Sequence, residues 1–118
     1  MKKFLAIYVG TAGARDRAQW DKMDEKQRKA IEAKGIDAWM KWGTTHSGAI
    51  VDTGTPLGKT KRVSRDGIGD IKNSMTAYVI VQAESHEAAA KLFENHPHFT
   101  IFPGDSVEIM ECLPLPGG

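Results

Sequence analysis

The chain has little of what would indicate disulfide staples, secretion or a membrane span. Cys112 is its single cysteine, so no internal disulfide can form. No apolar run approaches the roughly 20 residues that a membrane-spanning helix needs. The first residues, Met1 to Lys3, lead directly into a strand-like segment, so no signal peptide is predicted. These absences favour a reducing, cytoplasmic location without membrane contact.

The chain also lacks a charge excess of either sign. Sixteen basic and fifteen acidic side chains leave a net charge of +1, so no overall field attracts nucleic acid or an anionic surface. A length of 118 residues is that of one ordinary domain, which we expect to span residues 1–118. We therefore expect a small organic ligand rather than a polyanion as the partner.

Apolar runs bounded by glycine and proline predict four strands of one sheet. The four runs are Phe4–Val9, Ala49–Asp52, Thr76–Ala83 and Ser106–Cys112. The third run is apolar on both faces, which predicts a central strand. The segment Lys59–Ser64 alternates basic and hydroxyl side chains, as a solvated edge strand does, and Asp66–Asp70 is predicted as a turn.

Two segments have helical periodicity. Trp20, Met23, Gln27 and Ile31 recur at helical spacing in a charged background, and the pattern resumes after Gly35. It predicts either one kinked helix or two consecutive helices ending at Gly48. The other helical segment covers Ala88–Phe93, towards the C-terminal end of the chain, with Ser85 as its N-cap. The segment Thr11–Arg17 contains Gly13 and alternating charge, and is predicted as a loop.

This order of elements predicts an α+β fold of the ferredoxin-like split βαβ type. An antiparallel sheet would then be covered by helices on one face. The other face would be bare in a monomer, although its side chains are apolar. We therefore expect a homodimer in which two sheets meet.

Several segments spread over nearly the whole chain resemble the YCII-related family, whose members have a dimeric α+β barrel fold. The resemblance rests on Lys3–Tyr8, Gly48–Leu57, Ala77–Ile80, Glu87–Ala89, His96–Pro97 and Ser106–Ile109. It implies a homodimer with a cleft between sheet and helices. Some members look like small-molecule enzymes that use a histidine with an aspartate. Near the positions matching that pair, this chain has Asp37 and His46, so either the two residue types are present in reversed order or this branch has lost that chemistry.

Histidines and carboxylates supply the candidate catalytic residues, because a carboxylate can fix the tautomer of an imidazole that acts as a general base. The candidates are His46, Asp52, His96, His98 and Asp105. The run from His96 to Ile109 is the strongest candidate region, since it brings two histidines and an aspartate onto a loop that proline and glycine constrain. Each residue also has a structural interpretation: His46 can complement a helix dipole, and His96 can cap a helix end.

Tyr8, Trp39 and Trp42 are the candidate ligand-binding residues. The two tryptophans are three residues apart and share a helical face, which could form the wall of a cleft or simply pack in the core. Neither a metal nor a cofactor is expected, because no third ligand is spaced distinctively beside His96 and His98. The run from Gly54 to Thr60 has one residue too few between its glycines for a phosphate loop.

The sequence therefore supports two hypotheses. The first is a small-molecule-binding homodimer that acts as a cofactor-independent enzyme, with a His/Asp acid–base pair catalysing elimination, isomerisation or a related proton transfer. The second is a non-catalytic dimerisation or ligand-sensing module. A cavity beside the candidate histidines would favour the first hypothesis, and a filled one the second.

Overall fold

A computed structural model describes residues 1–117. The strands are β1 (Lys2–Val9), β2 (Ile50–Asp52), β3 (Thr60–Ser64), β4 (Gly67–Ile71), β5 (Met75–Ala83) and β6 (Ser106–Glu111). The helices are α1 (Ala12–Arg17), α2 (Glu25–Thr45), α3 (His86–Lys91) and α4 (Pro97–Thr100), and a short 3₁₀ turn covers Trp20–Lys22.

Four strands form one antiparallel sheet in the order β2-β5-β1-β6. Without the β3–β4 hairpin, this is the strand order of a ferredoxin-like split βαβ fold. The predicted α+β class is confirmed, and so is the central position of β5. The hairpin of β3 and β4 is inserted between β2 and β5 and forms a separate two-stranded sheet.

The core lies between one face of the sheet and the helices. Alternate residues of the two central strands point to this face and are buried, as the two-residue period of a strand requires. They are Phe4, Ala6, Tyr8, Val79, Val81 and Ala83. Trp39 and Trp42 of α2 pack on this core, and the indole nitrogen of Trp42 donates a hydrogen bond of 2.7 Å to the Leu92 carbonyl. The helices are therefore on one face of the sheet, as predicted.

Local capping explains where the helices begin. The side chain of Ser85 accepts from the Ala88 amide, which confirms the predicted N-cap of α3. Asp24 and Gln27 form a reciprocal capping box at the start of α2. The helix α2 is one continuous element that ends at Thr45, three residues before the predicted end at Gly48.

Gly35 lies inside α2 and does not break it. A Cβ atom at this position would lie 2.4 Å from the ring of Phe102, so glycine is needed for close packing of that ring. The interruption in the apolar pattern thus marks a helix contact rather than a kink or a helix end.

The predicted loop at Thr11–Arg17 is wrong, because Ala12–Arg17 forms helix α1. Thr11 caps this helix through its hydroxyl, and the Asp105 carboxylate accepts from both the amide and the hydroxyl of Thr11. A contact across 94 residues of sequence therefore fixes the start of α1. Local composition does not reveal such a contact, so it could not predict this helix.

The predicted turn at Asp66–Asp70 is also wrong, because Gly67–Ile71 forms strand β4. Ser64 pairs with Gly67, which leaves Arg65 and Asp66 as a two-residue turn. Gly67 has a φ of 106°, a conformation that side chains disfavour. The glycines of β4 therefore serve the hairpin rather than end it.

The face of the sheet opposite the helices has no cover within the described chain. By strand register, this outer face carries Leu5, Ile7, Tyr78, Ile80 and Met110, together with Glu108. Leu5, Ile7, Tyr78 and Ile80 are partly exposed, and Met110 is 41% exposed. In residues 1–117 no helix combines the length and apolar character that crossing a membrane requires.

Candidate functional site

A cavity of about 830 Å³ opens between the sheet, helix α2 and the loops at one end of the sheet. Its volume lies within the range that small-molecule sites occupy. Five aromatic residues on the helix-covered side of the sheet contribute to its lining, namely Tyr8, Trp20, Trp39, Trp42 and Phe102. Ile36 and Met40 lie exposed on α2 at the cavity rim. The walls are therefore mainly apolar and aromatic, with few polar groups to orient a ligand.

The run after α3 forms a short helix, α4, where the sequence predicts a loop. His96 is its N-cap, with Pro97 at the first helical position, where proline is well suited. The Nδ1 atom of His96 accepts a hydrogen bond of 3.0 Å from the backbone N–H of His98. His96 is fully buried. The predicted capping role is thus found at the start of the following helix.

This bond determines the tautomer of His96. Since Nδ1 accepts from an N–H, it carries no proton, and a neutral ring must then be protonated at Nε2. Burial, with further contributions from the nearby His98 and His46 imidazoles, lowers the pKa of His96 to about 3, so the ring stays neutral. Nε2 lies 3.2 Å from the hydroxyl oxygen of Tyr8. The Nε2–H group of His96 therefore donates to Tyr8.

Tyr8 is left with a free hydroxyl proton. Its oxygen accepts from His96, so its O–H group can donate to another acceptor, and the Tyr8 side chain lines the cavity. Burial raises the pKa of Tyr8, so the phenol remains protonated. Trp39, at 4.7 Å between ring centroids, fixes the phenol ring from one side. The cavity thus receives one oriented hydrogen-bond donor.

His98 also lines the cavity, and its orientation is fixed from behind. Its Nε2 lies 2.7 Å from the carbonyl oxygen of Val9, which can only accept, so Nε2 carries the proton. In a neutral ring Nδ1 is then the acceptor. A Cβ atom on Gly104 would lie 2.4 Å from Cε1 and Nε2 of this ring, so glycine is required for His98 to reach Val9.

Asp105 is not bonded to either histidine. Its carboxylate accepts from the amide of Thr11 at 2.6 Å, from the hydroxyl of Thr11 at 2.8 Å and from Arg17 at 2.8 Å. The hydrogen bonds from Thr11, with a further contribution from Arg17, hold the pKa of Asp105 below its usual value. Asp105 therefore clamps the start of α1 as a carboxylate.

The other sequence-predicted residues lie outside the cavity lining. His46 is the C-cap of α2 and packs against Trp42 at 5.2 Å between ring centroids. Asp52 accepts from the backbone N–H of Gly54 at 2.8 Å, and Asp37 pairs with Lys41 on the exposed surface of α2. Across residues 1–117, no histidine is hydrogen-bonded to a carboxylate. Tyr8, Trp39, Trp42 and His98 are the predicted residues that the cavity brings together.

Few charges face the cavity. Arg15 is the one formally charged side chain in its lining within the described part of the chain, and it pairs with Asp21 at 2.6 Å. No group of three or more His, Cys, Asp or Glu side chains in residues 1–117 is arranged to hold a metal ion. Besides Tyr8, Arg15 and His98, the polar residues of the lining include four threonines, namely Thr11, Thr53, Thr55 and Thr76.

Sequence reasoning missed two features of the site. Gly54 has a φ of 67°, and a Cβ there would overlap the carbonyl oxygen of Tyr78, so it allows the loop after β2 to line the cavity wall. Phe102 closes another wall and packs on Gly35 of α2. An isolated glycine inside a helical pattern was the available signal for the second feature.

The fold and the cavity together define an α+β protein with a ferredoxin-like antiparallel sheet and a cavity between that sheet and its helices. Among solved structures, the chain is similar to 5-chloro-2-hydroxyhydroquinone dehydrochlorinase (TftG) from Burkholderia phenoliruptrix AC1100, in complex with 2,5-dihydroxybenzoquinone. The TM-score is 0.53 at 15% sequence identity, covering 92% of this chain and 90% of the other. This likeness shows the fold alone. No protein-family model and no curated protein matches the chain.

Proposed function

We propose that this protein is a small-molecule enzyme that catalyses proton transfer in the cavity, with His98 as the base and Tyr8 as the acid. The observation that carries the proposal is the tautomer arrangement, in which one donor and one acceptor belong to side chains lining the same cavity. It replaces the His/Asp pair of the sequence hypothesis, because Asp105 and Asp52 are hydrogen-bonded elsewhere.

The proposed chemistry needs a ligand with an acidic proton next to a carbonyl group. Nδ1 of His98 takes the proton, and the electron pair of the broken bond moves onto the carbonyl oxygen. Tyr8 donates its O–H to that oxygen, where the negative charge develops. In an isomerisation the electron pair then returns from the oxygen and forms a bond from another carbon to the proton of His98. In an elimination the returning pair expels the leaving group, which takes that proton. The apolar walls exclude water and strengthen both interactions.

The solved neighbour supports the choice of the first ligand. It is named as a dehydrochlorinase and was observed with 2,5-dihydroxybenzoquinone, a planar ring with carbonyl acceptors and hydroxyl donors. A ligand of that chemistry would accept from Tyr8, donate to His98 and stack on aromatic walls. Hydroxylated quinones and phenols are therefore the first panel to test.

Calorimetric titration of the panel tests the binding step. Replacing Tyr8 by phenylalanine removes one hydroxyl, and we expect affinity to fall roughly two- to tenfold, the value of one hydrogen bond of about 0.5–1.5 kcal/mol. The control is Tyr78→Phe, which removes the hydroxyl of a tyrosine whose side chain lies on the outer sheet face and has no bond to His96. Equal losses in both variants would contradict the assigned role of Tyr8.

Turnover separates the enzyme from the ligand-sensing alternative. The acid–base proposal is supported if the wild-type protein catalyses exchange of the ligand's carbon-bound hydrogen, next to the carbonyl group, with D₂O. NMR of the ligand follows this exchange. Binding without any exchange or product would instead leave a ligand-binding module, and failure of the whole panel to bind would reject this ligand class.

Four further expectations are part of the proposal. We propose that two copies associate through the outer sheet faces, since Leu5, Ile7, Tyr78 and Ile80 form a largely apolar surface there. We also propose membership of the YCII-related family, a cytoplasmic location and a single domain over residues 1–118. Sedimentation analysis at several protein concentrations tests the first of these directly.

A further inference from the structure

The hairpin of β3 and β4, here called the ribbon (Thr60–Ile71), leaves the body of the protein at one end of the sheet. The chain enters it from Pro56 and Leu57, which pair with the start of β5, and returns through Ser74 directly into β5. The amide of Gly10, just after β1, donates to the carbonyl of Ser74. The ribbon is therefore rooted at the end of the sheet where Gly10 and Pro56 line the cavity.

The ribbon has no cover of its own. Every residue from 61 to 70 is exposed. Val63 and Ile68 face each other across the two strands and are 75% and 74% exposed, so they form an apolar pair on one face of the ribbon. A two-stranded hairpin is at best marginally stable alone in water, and a partner surface would stabilise it.

The dimensions of the molecule exceed those of a compact domain of the same length. The radius of gyration is 16.3 Å, and the longest extent is 54 Å. A compact domain of this length would have a radius of gyration of about 13.5 Å. The excess is consistent with a projecting element that can reach beyond the chain's own sheet.

Charge favours a second copy of this chain as the partner. Residues 59–72 contain five of the sixteen basic side chains and two of the fifteen acidic ones, so the remainder of the chain has two more acidic than basic groups. A basic ribbon and an acidic body are complementary between two identical copies. The ribbon also runs directly into β5, whose Tyr78 and Ile80 belong to the outer sheet face.

We propose that the ribbon docks on the body of a second copy, with Val63 and Ile68 as its apolar contact. The proposal rests on the homodimer proposed above but is independent of the chemistry in the cavity. In the dimer, each ribbon would lie over the partner and extend the interface beyond the sheet faces. Docking would also supply the cover that the apolar pair lacks in one copy.

Analytical ultracentrifugation of the full chain tests this, with Val63→Asp compared against Ser64→Asp. The two positions are adjacent and point to opposite faces of β3, so each variant adds the same carboxylate to a different face. We expect Val63→Asp to raise the dimer dissociation constant roughly tenfold or more, as a buried apolar contact would. Ser64→Asp should change it by less than about twofold.

Hydrogen exchange of the wild-type protein gives a second measurement that needs no variant. Amides in residues 61–70 should become more protected as the protein concentration rises through the dimer dissociation constant. A monomer at all concentrations would overturn both the homodimer and the docking. A dimer that responds equally to the two substitutions, with no concentration-dependent protection of the ribbon, would overturn the docking alone.

Discussion

Two polar clusters meet at the carbonyl of Val9, and they use opposite chemistry. This oxygen accepts from the imidazole of His98 at 2.7 Å and from the amide of Asp105 at 3.0 Å. On one side Tyr8, His96 and His98 form a buried cluster beside the cavity, which contains no carboxylate. On the other side Asp105, Thr11 and Arg17 form a charged clamp near solvent.

The difference shows how burial decides what a histidine or a carboxylate does. A buried ring without a counter-charge stays neutral, and its hydrogen bonds then fix a tautomer. A partly exposed carboxylate remains charged and gathers amide, hydroxyl and guanidinium donors. The buried cluster can therefore orient hydrogen-bonding groups toward a ligand, whereas the charged clamp holds the fold that surrounds it.

The largest expected effect comes from replacing His98, the proposed base. Relative to the wild type, His98→Gln should slow the exchange of the ligand's carbon-bound hydrogen with D₂O by about 10²- to 10⁴-fold, the usual contribution of a general base. NMR of the ligand measures the rate. His86→Gln is the matched control, because His86 also bonds a carbonyl, that of Ile109 at 2.7 Å, but lies exposed outside the cavity. Similar losses in both variants would contradict the assignment.

The packing that holds the His98 ring can be disrupted by a substitution that removes no polar side chain. Gly104→Ala places a methyl group 2.4 Å from the His98 ring and from its backbone oxygen, and should lower the free energy of unfolding by about 1–3 kcal/mol. Urea unfolding checks this. Gly58→Ala is the control, because a Cβ there meets nothing within 4 Å. A fully stable Gly104→Ala protein would show that His98 is not held as described.

The neutrality of His96 predicts a loss of stability in acid. Its folded pKa of about 3 is below its usual value of 6.5, so the unfolded chain takes up a proton first. This contribution is complete above pH 6.5 and declines as the pH falls toward 3, by at most about 1.4 kcal/mol per pH unit. Urea unfolding at several pH values measures it, and His96→Gln should show a smaller slope. An unchanged slope in the variant would exclude His96 as the cause.

The charged clamp should give the smallest effect, because its ion pair is near solvent. The folded pKa of Asp105 is lowered, so its contribution is present above the ordinary aspartate pKa and disappears as the pH falls through the folded value. Asp105→Asn should therefore lower the Tm at neutral pH and converge with the wild type in acid. Calorimetry tests this, and ligand affinity should change little. A difference that grows in acid would contradict the assignment.

Much of the fold could be predicted from local patterns. The apolar runs at Phe4–Val9 and Thr76–Ala83 identify the central strands, and Ser85 identifies a helix start. The helix α1 could not be predicted, because its cap depends on Asp105, which is distant in sequence. The strand β4 was hidden by glycines that a strand pattern disfavours.

The candidate site was predicted in part. Tyr8, Trp39, Trp42 and His98 line one cavity, because strand alternation and helical spacing place them on the core side. The partners of each group could not be predicted. His98 and Asp105 are close in sequence and suggest a pair. The His98 imidazole and the Asp105 amide both bond the carbonyl of Val9, but the Asp105 carboxylate accepts from Thr11 and not from His98.

The imidazole nitrogens of His96 and His98 report the central claim most directly. Long-range ¹H–¹⁵N NMR of the uniformly ¹⁵N-labelled protein at neutral pH distinguishes a protonated Nδ1 from a protonated Nε2. The structure predicts a proton on Nε2 of both rings and an unprotonated Nδ1 in His96, and the proposed base requires an unprotonated Nδ1 in His98 as well. A proton on Nδ1 of His96 would remove the free donor of Tyr8, and a proton on Nδ1 of His98 would remove the base, so either result would contradict the account.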